Sequence, residues 1–251
     1  MPPVKSAKQR LDQLLVERGL AETRSRAQAL VMSGNVFCGE ARLDKPGQQV
    51  AGDIALTVRG PEHPWVSRGG MKLAHAFEAF DIPVAGLVCL DVGASTGGFT
   101  DVLLKAGAAR VYAVDVGKGQ LAWSLRQDER VVVLEGTNAR SLTRREIPEA
   151  PALIVCDASF IGLRTVLPAA LALAGEDAHL VALIKPQFEV GKGRVGKGGV
   201  VRDAALHREV CDTIRGWLGG EMGWEVIGIV PSPITGPKGN VEFLIVAKRP
   251  Q

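Results

Sequence analysis

Asp91, a cluster of small residues and a second carboxylate open the chemistry of this sequence. In LDVGASTGGFTDVLLKAGA, residues 90–108, an apolar run ends at Asp91. Gly93-Ala94-Ser95-Thr96-Gly97-Gly98 follows, and a helical stretch then closes on Gly107. A strand, a tight turn and a helix of this kind bring main chain close to a ligand. Asp115 comes roughly twenty residues after the turn, the place of a carboxylate that accepts hydrogen bonds from a ribose diol. The expected ligand therefore contains a nucleoside, and either a dinucleotide or S-adenosylmethionine (SAM) would supply one. The register Gly93-x-x-x-Gly97-Gly98 departs from the G-x-G-x-x-G of pyrophosphate sites, and Asp91 would repel a pyrophosphate. The same carboxylate suits the ammonium and sulfonium of SAM, directly or through water, which favours SAM over NAD.

Further groups fall at the ends of apolar runs. Asp157 closes one run, Asn138 follows another, and Lys185 stands directly after LVALI with Pro186 behind it. Lys192, Arg194, Lys197 and Arg202 then lie in a glycine-rich stretch that could close over an RNA backbone. These groups need a scaffold that gathers strand ends. The apolar runs Leu87–Asp91, Arg110–Asp115, Val131–Glu135, Leu153–Asp157, His179–Ile184, Glu225–Val230 and Val241–Ala247 read as strands, with helices between most of them. That alternation predicts a parallel doubly wound sheet, whose ligands sit beyond the carboxyl ends of its strands.

The first sixty residues read differently. Leu11, Leu14 and Leu15 recur at helical spacing before Gly19. Thr23 or Ser25 could cap a second helix with Ala27, Leu30 and Val31 inward, and Gly34 ends it. Short strand-like runs follow up to residue 60. Lys5, Lys8, Arg10, Arg18, Arg24 and Arg26 are expected on the outward helix faces, against Asp12, Glu17 and Glu22. PEHPWVSR, residues 61–68, reads as a linker, with Trp65 expected to pack between the domains.

With 251 residues, 46% hydrophobic and 23% charged, the chain can bury a substantial core. A net charge of +3 gives no strong global field, so any nucleic-acid contact must come from local clusters. No apolar run approaches the roughly 20 residues of a membrane helix, and the N-terminus has no signal-peptide apolar region. The expectation is a soluble, cytoplasmic protein with no membrane and no DNA partner. Cys38, Cys89, Cys156 and Cys211 lie far apart and form no CxxC pair, so buried free thiols are expected, without a metal site or disulfides.

Two resemblances cover nearly the whole chain. Residues 8–60, with Gly19-Leu20-Ala21-Glu22-Thr23-Arg24-Ser25-Arg26-Ala27 at their centre, resemble the S4 family of RNA-binding modules. They depart from its usual V-x-V-N-G at Val36-Phe37-Cys38-Gly39. The motifs WVSRGGMKL, LDVGASTGGFTDVLL, DVGKGQLAWSLR, CDASFI, LIKPQFEVGKG and GNVEF resemble the TlyA, or hemolysin A, family of rRNA 2′-O-methyltransferases. The methyltransferase half of the chain is similar to the FtsJ class.

The resemblance implies an α/β fold: a Rossmann-like SAM-dependent methyltransferase domain preceded by a small α+β S4-like domain. The larger domain would hold a mostly parallel seven-stranded sheet with helices on both faces. The domains are expected at 1–60 and 69–251. It also implies a catalytic tetrad of Lys72, Asp157, Lys185 and Glu242. SAM-binding roles fall on Asp91, Gly93, Ala94, Ser95, Thr96, Gly97, Asp115, Asn138 and Asp157. RNA contacts fall on Arg10, Arg24, Arg26, Arg68, Lys192, Arg194 and Lys197.

The tetrad makes chemical sense. A ribose 2′-hydroxyl is a very weak acid that must lose its proton as it attacks. Lys185 could take that proton when neutral, a form that burial and a second cation favour. Alternatively it could stay charged and stabilise the developing alkoxide. The implied partner is rRNA in ribosomal subunits, with a cytidine as target. Longer members modify both subunits, and the early end of this chain leans towards the 50S subunit, with 30S as the alternative. A monomer is expected. The rival readings are an NAD-dependent oxidoreductase, a non-catalytic ribosome-assembly factor and a membrane-active hemolysin. The last would need a long basic amphipathic helix, and Gly19 interrupts the one candidate.

Overall fold

The computed structural model describes residues 8–59, 63–191 and 193–250. It divides into two units, Met1–Pro64 and Trp65–Gln251. Lys5, Lys192 and residues 61–62 of the expected linker lie outside the described residues.

In the first unit the leucine spacing builds α1 (Leu11–Glu17), after the short strand β1 (Lys8–Arg10). Helix α2 (Arg24–Met32) starts where Thr23 Oγ1 accepts from the Arg26 N–H at 3.2 Å, the cap expected from sequence. The strands are β2 (Val36–Cys38), β3 (Ala41–Arg42), β4 (Gln49–Ala51) and β5 (Thr57–Val58). β1 pairs with β4, and β2 pairs with β3 and β5, all antiparallel. Leu11, Leu14, Leu15, Ala27, Val31 and Val36 form the core.

Asp12 is not one of the surface charges set against the first basic residues. The Leu11 and Asp12 N–H groups donate to the Gln48 and Pro46 carbonyls, which tucks the start of α1 under a loop and buries Asp12 completely. An isolated buried carboxylate is costly, so donors gather round it. Arg10 reaches it through Nε at 3.0 Å and Nη2 at 2.9 Å, Arg24 Nε at 3.0 Å and Gln28 Nε2 at 2.9 Å. The Arg10 guanidinium, with these partners, holds the Asp12 carboxyl far below the usual range. Arg10 and Arg24, expected to face RNA, are anchored on this carboxylate while their side chains stay 37% and 52% exposed. Arg18 is also tied down, at 2.6 Å from the Gly52 carbonyl.

The second unit begins with helix α3 (Gly69–Ala79) and carries seven strands: β6 (Val88–Val92), β7 (Arg110–Asp115), β8 (Val131–Glu135), β9 (Leu153–Cys156), β10 (His179–Ile184), β11 (Glu225–Pro231) and β12 (Phe243–Lys248). Their order is β11-β12-β10-β9-β6-β7-β8, with β12 antiparallel to both neighbours and the other pairings parallel. The middle strands are buried on both faces. Leu90 and Val92 face a core shared with the helix Ala204–Gly220, and Cys89 faces the core built from α3 and α4 (Gly98–Lys105). Strand order reverses between β6 and β9, which makes the carboxyl ends of these two strands the place for a ligand.

The segment 61–68 is not a linker throughout. From Trp65 on it belongs to the second unit. Trp65 and Val66 pack on the α3–α4 core, and the Val66 N–H donates to Asp101 Oδ2 on α4 at 2.8 Å. Lys105 Nζ lies 5.0 Å from the Trp65 ring centroid. The indole is thus part of this unit's packing, held because Gly70 leaves it room: a Cβ there would stand 2.5 Å from the ring. Cys89 and Cys156 are buried free thiols, whereas Cys38 and Cys211 are only half-buried. No helix of the described residues is long and apolar enough to cross a membrane.

Candidate active site

The turn after β6 brings main chain against main chain. Gly93 adopts φ +83°, and a Cβ there would meet the Ala158 Cα and N at 2.9 Å, so the strand ends at β6 and β9 approach as only glycine allows. Gly97 adopts φ +97°, and a side chain there would strike Leu125 Cδ1 at 2.2 Å. Its role is to let the turn enter α4, and it lines neither cavity described below.

Two cavities open at these strand ends. The larger, about 890 Å³, runs between the ends of β6, β7, β8 and β9, and Asp115, Gln120, Asn138, Arg140, Phe160 and Ile161 are among its walls. The smaller, about 290 Å³, contains Lys72, Lys185, Arg68, Ala94, Thr96 and Pro237. Gly93, Ser95, Asp157 and Ser159 line both, so the cavities meet there. Ala94 and Thr96, expected in the cofactor site, thus stand on the lysine side of the turn.

Asp115 holds the turn and the rim together. Its Oδ2 accepts from the Ser95 N–H at 2.8 Å and its Oδ1 from the Gly117 N–H at 2.7 Å. Asn138 Oδ1 caps the short turn that follows β8, accepting from the Arg140 N–H at 3.1 Å. Apolar walls face these groups: Phe160 is 89% exposed at the mouth, with φ +66°, and Val116 is 71% exposed. Left-handed backbone at a bulky residue is strained and concentrates at functional positions. The mixture of hydrogen-bonding rim and apolar faces fits a nucleoside, and Asp157 at the junction supplies negative charge for a cationic centre.

Asp91 departs from its expected place. The strand runs one residue beyond it, and alternation along β6 sets Cys89 and Asp91 on one face, Leu90 and Val92 on the other. Asp91 therefore points towards α4, where Thr100 Oγ1 donates to its Oδ2 at 2.7 Å, and it lines neither cavity. Its Oδ1 is buried without a hydrogen bond. Burial, aided by the charges of Asp157 and Asp115 and opposed by Thr100, pushes its carboxyl up to about 7. A raised carboxyl pKa stabilises the fold most below the unfolded value, and that contribution fades as pH rises towards 7.

The four tetrad positions come together. Lys72 Nζ stands 2.8 Å from Glu242 Oε2 and 3.4 Å from Asp157 Oδ2. Lys185 Nζ stands 2.6 Å from Asp157 Oδ1, 3.2 Å from the Asp157 carbonyl and 2.8 Å from Ser159 Oγ. Lys72, Lys185 and Glu242 are 7%, 5% and 1% exposed, so two cations and two anions balance almost out of water. Each comes from a different element: α3, the end of β10, the segment before β12, and the end of β9. Gly236 makes room for Glu242, because a Cβ there would stand 2.0 Å from Oε1.

Of the remaining basic positions, Arg68 is exposed and lines the lysine cleft. Arg26 and Lys197 are exposed, while Arg194 is committed to Glu209, with Nη2 at 2.6 Å from Oε2. Residues that sequence reasoning passed over also shape the site. Glu135, at the end of β8, accepts from the N–H groups of Gly119, Gln120 and Leu121 at 2.7, 2.9 and 3.0 Å and pairs with Arg126. Arg126 and these amides hold its carboxyl down at about 2. Asp101 and Ser159 were missed as well. Ser159 lies inside CDASFI, yet nothing in a lone serine signals a lysine partner. Among the described residues no group of three or more His, Cys, Asp or Glu side chains is arranged to hold a metal ion.

Known proteins resemble this chain in sequence and fold. The model of the FtsJ-like methyltransferase family matches residues 65–249, and that of the S4 domain matches residues 9–53. The chain is 54% identical over 238 residues to the 16S/23S rRNA (cytidine-2′-O)-methyltransferase TlyA of Mycobacterium tuberculosis, covering 94% of this chain and 88% of that protein. It is 38% identical over 181 residues to the 23S rRNA (cytidine-2′-O)-methyltransferase TlyA of Campylobacter jejuni, covering 71% and 69%. A solved structure from Streptococcus thermophilus that carries the hemolysin name superposes with a TM-score of 0.76 at 41% identity, covering 97% of this chain and 89% of that one.

Proposed function

Because the chain belongs to the FtsJ-like methyltransferase family, we propose that it transfers a methyl group from SAM to the ribose 2′-oxygen of a cytidine in rRNA, with the 50S subunit as its preferred substrate. The observation that carries this reading is the junction of the two cavities at Asp157 and Ser159, with Lys185 against both residues. A nucleoside-bearing cofactor on one side of that junction and a ribose on the other would place acceptor and donor in contact. The exposed Arg26, Arg68 and Lys197 supply phosphate contacts, and the S4 domain supports an RNA partner. Such a protein works in the cytoplasm, where ribosomal subunits are assembled.

SAM supplies an electrophilic methyl group on a sulfonium. Asp115, Ser95, Gly93 and Asn138 would hold its nucleoside, Phe160 and Val116 would cover it, and Asp157 would face its charge. Asp91 acts at one remove, by fixing α4 under the turn through Thr100. On the substrate side, three oxygens surround Lys185 Nζ, the donor pattern of an ammonium. We therefore assign Lys185 the electrostatic role: as the 2′-oxygen bonds to the methyl carbon and the bond to sulfur breaks, S-adenosylhomocysteine leaves and the hydroxyl proton passes to solvent water in the open cleft, and the lysine charge lowers the cost of the negative charge that grows on the oxygen. Lys72 adds a second cation, and Asp157 and Glu242 orient both and keep the cluster neutral.

Glu135 supports the cofactor side through the 117–121 loop. Glu135→Ala strands three amides, and the expected result is SAM binding weakened about tenfold, equivalent to about 1.4 kcal/mol. Titration calorimetry checks this, and an unchanged affinity would remove Glu135 from the site.

The function itself is tested by transfer of labelled methyl from SAM to purified 50S subunits, 30S subunits and naked rRNA. Label is expected in the 50S RNA. Label confined to 30S would overturn the subunit assignment. SAM binding with no label in any RNA would favour an assembly factor instead.

A further inference from the structure

Two loops of the second unit are joined by one side chain that the proposed chemistry does not use. Asn240 is 3% exposed, two residues before Glu242. Its Oδ1 accepts from the Val201 N–H at 3.1 Å, and its Nδ2 donates to the Gly199 carbonyl at 3.0 Å and the Pro237 carbonyl at 3.2 Å. The acceptor and both donors of the amide are thus engaged, and no other small side chain offers that set. Its own carbonyl accepts from the Gly236 N–H at 2.9 Å, closing the 236–240 turn.

The loops so fastened carry the features a substrate would meet. Pro237 lines the lysine cleft, and Gly236 gives Glu242 its space. Gly199 lies where a Cβ would come within 3.7 Å of Lys238 Nζ, so the glycine-rich loop and the 236–239 turn adjoin. Lys197 and Lys238 are exposed, one on each loop. On the other side of the loop Val201 is anchored by its carbonyl, 2.9 Å from His207 Nε2.

We propose that Asn240 is a positioning residue for the RNA side of the reaction. It locks residues 196–201 and 236–239 into one wall beside the lysine cluster, so that Lys197 and Lys238 present their charge to the RNA backbone together. This rests on the RNA reading above. Glycine-rich backbone is flexible, and holding two cations in one arrangement before the substrate arrives lowers the ordering cost of binding. Asn240→Asp removes the donors and sets a carboxylate oxygen about 3 Å from two carbonyl oxygens, which drives the loops apart. Asn240→Ser keeps only a short hydroxyl in their place.

The test measures both variants with 50S subunits as substrate. The expected result is a rise of about tenfold in KM and in the filter-binding Kd for the subunit, with SAM affinity within about twofold of wild type and any fall in kcat much smaller than the rise in KM. Amide exchange at Val201 should quicken, because Asn240→Ser withdraws the acceptor of its N–H and the repulsion in Asn240→Asp moves the loop away from it. In a double-mutant cycle, Asn240→Asp added to Lys197→Ala/Lys238→Ala should cost almost nothing further. Equal losses in kcat, SAM affinity and subunit affinity would mark a structural role and overturn the proposal, as would additive losses in the cycle. If neither variant folds, Asn240 is structural and the proposal falls. If the wild type methylates no rRNA, the functional reading fails, while filter-binding affinity and Val201 exchange still decide the part played by Asn240.

Discussion

Replacing Lys185 with alanine is expected to slow methyl transfer about 10²–10³-fold while SAM binds as before. The asymmetry follows from where the side chain stands. Lys185 lines the smaller cleft, whereas Asp115 and Asn138 line the larger, so its loss leaves the nucleoside site intact. It is 5% exposed and surrounded by Asp157 and Ser159, so its charge acts where water screens little. Lys185→Arg keeps the charge, but a planar fork cannot meet three oxygens arranged around one nitrogen, and most of the activity should still be lost. Single-turnover transfer at saturating SAM, beside calorimetry of SAM binding, separates the two effects. Full activity in Lys185→Ala would remove it from the reaction.

The second large effect concerns stability and activity together. Lys72→Met leaves Glu242, 1% exposed, with an uncompensated charge. Breaking a buried pair from one side costs about 3–5 kcal/mol, which lowers the melting temperature by roughly 10 °C for a unit of this size. Lys72→Met/Glu242→Gln removes the stranded charge, so most of the lost stability should return. Methyl transfer should not, because the second cation is still missing. Thermal unfolding and transfer assays on the three proteins check this divergence. If activity returned with stability, the Lys72–Glu242 pair would be a structural one.

How far the sequence carries depends on the range of the interaction. Strand positions were legible because β6, β7 and β10 are buried on both faces and read as continuous apolar runs. Thr23 as a cap, and the glycine turn after β6, were legible because each signal is complete within a few residues. The tetrad was legible only through resemblance. Lys72 and Glu242 are 170 positions apart, and no local pattern announces that pairing. The misreadings have a common physical source. Local pattern makes Asp12 a surface charge, yet it is the buried carboxylate that anchors Arg10 and Arg24. The turn motif points Asp91 at the ligand, yet alternation along β6 directs it towards Thr100. In both cases burial of a carboxylate depends on which element covers it, which is a tertiary fact. Glu135 and Asn240 carry no local signal for the same reason, since most of their partners are backbone groups without a sequence signature.

The most direct measurement is the chemical identity of the product. rRNA from 50S subunits treated with the enzyme and SAM would be digested to nucleosides and analysed by mass spectrometry, beside the same reaction with Lys185→Ala. The arrangement of Lys72, Asp157, Lys185 and Glu242 at the cavity junction predicts 2′-O-methylcytidine in the wild-type reaction and its near absence in the variant. A methyl group on the cytosine ring, or on any position other than a ribose oxygen, would contradict it.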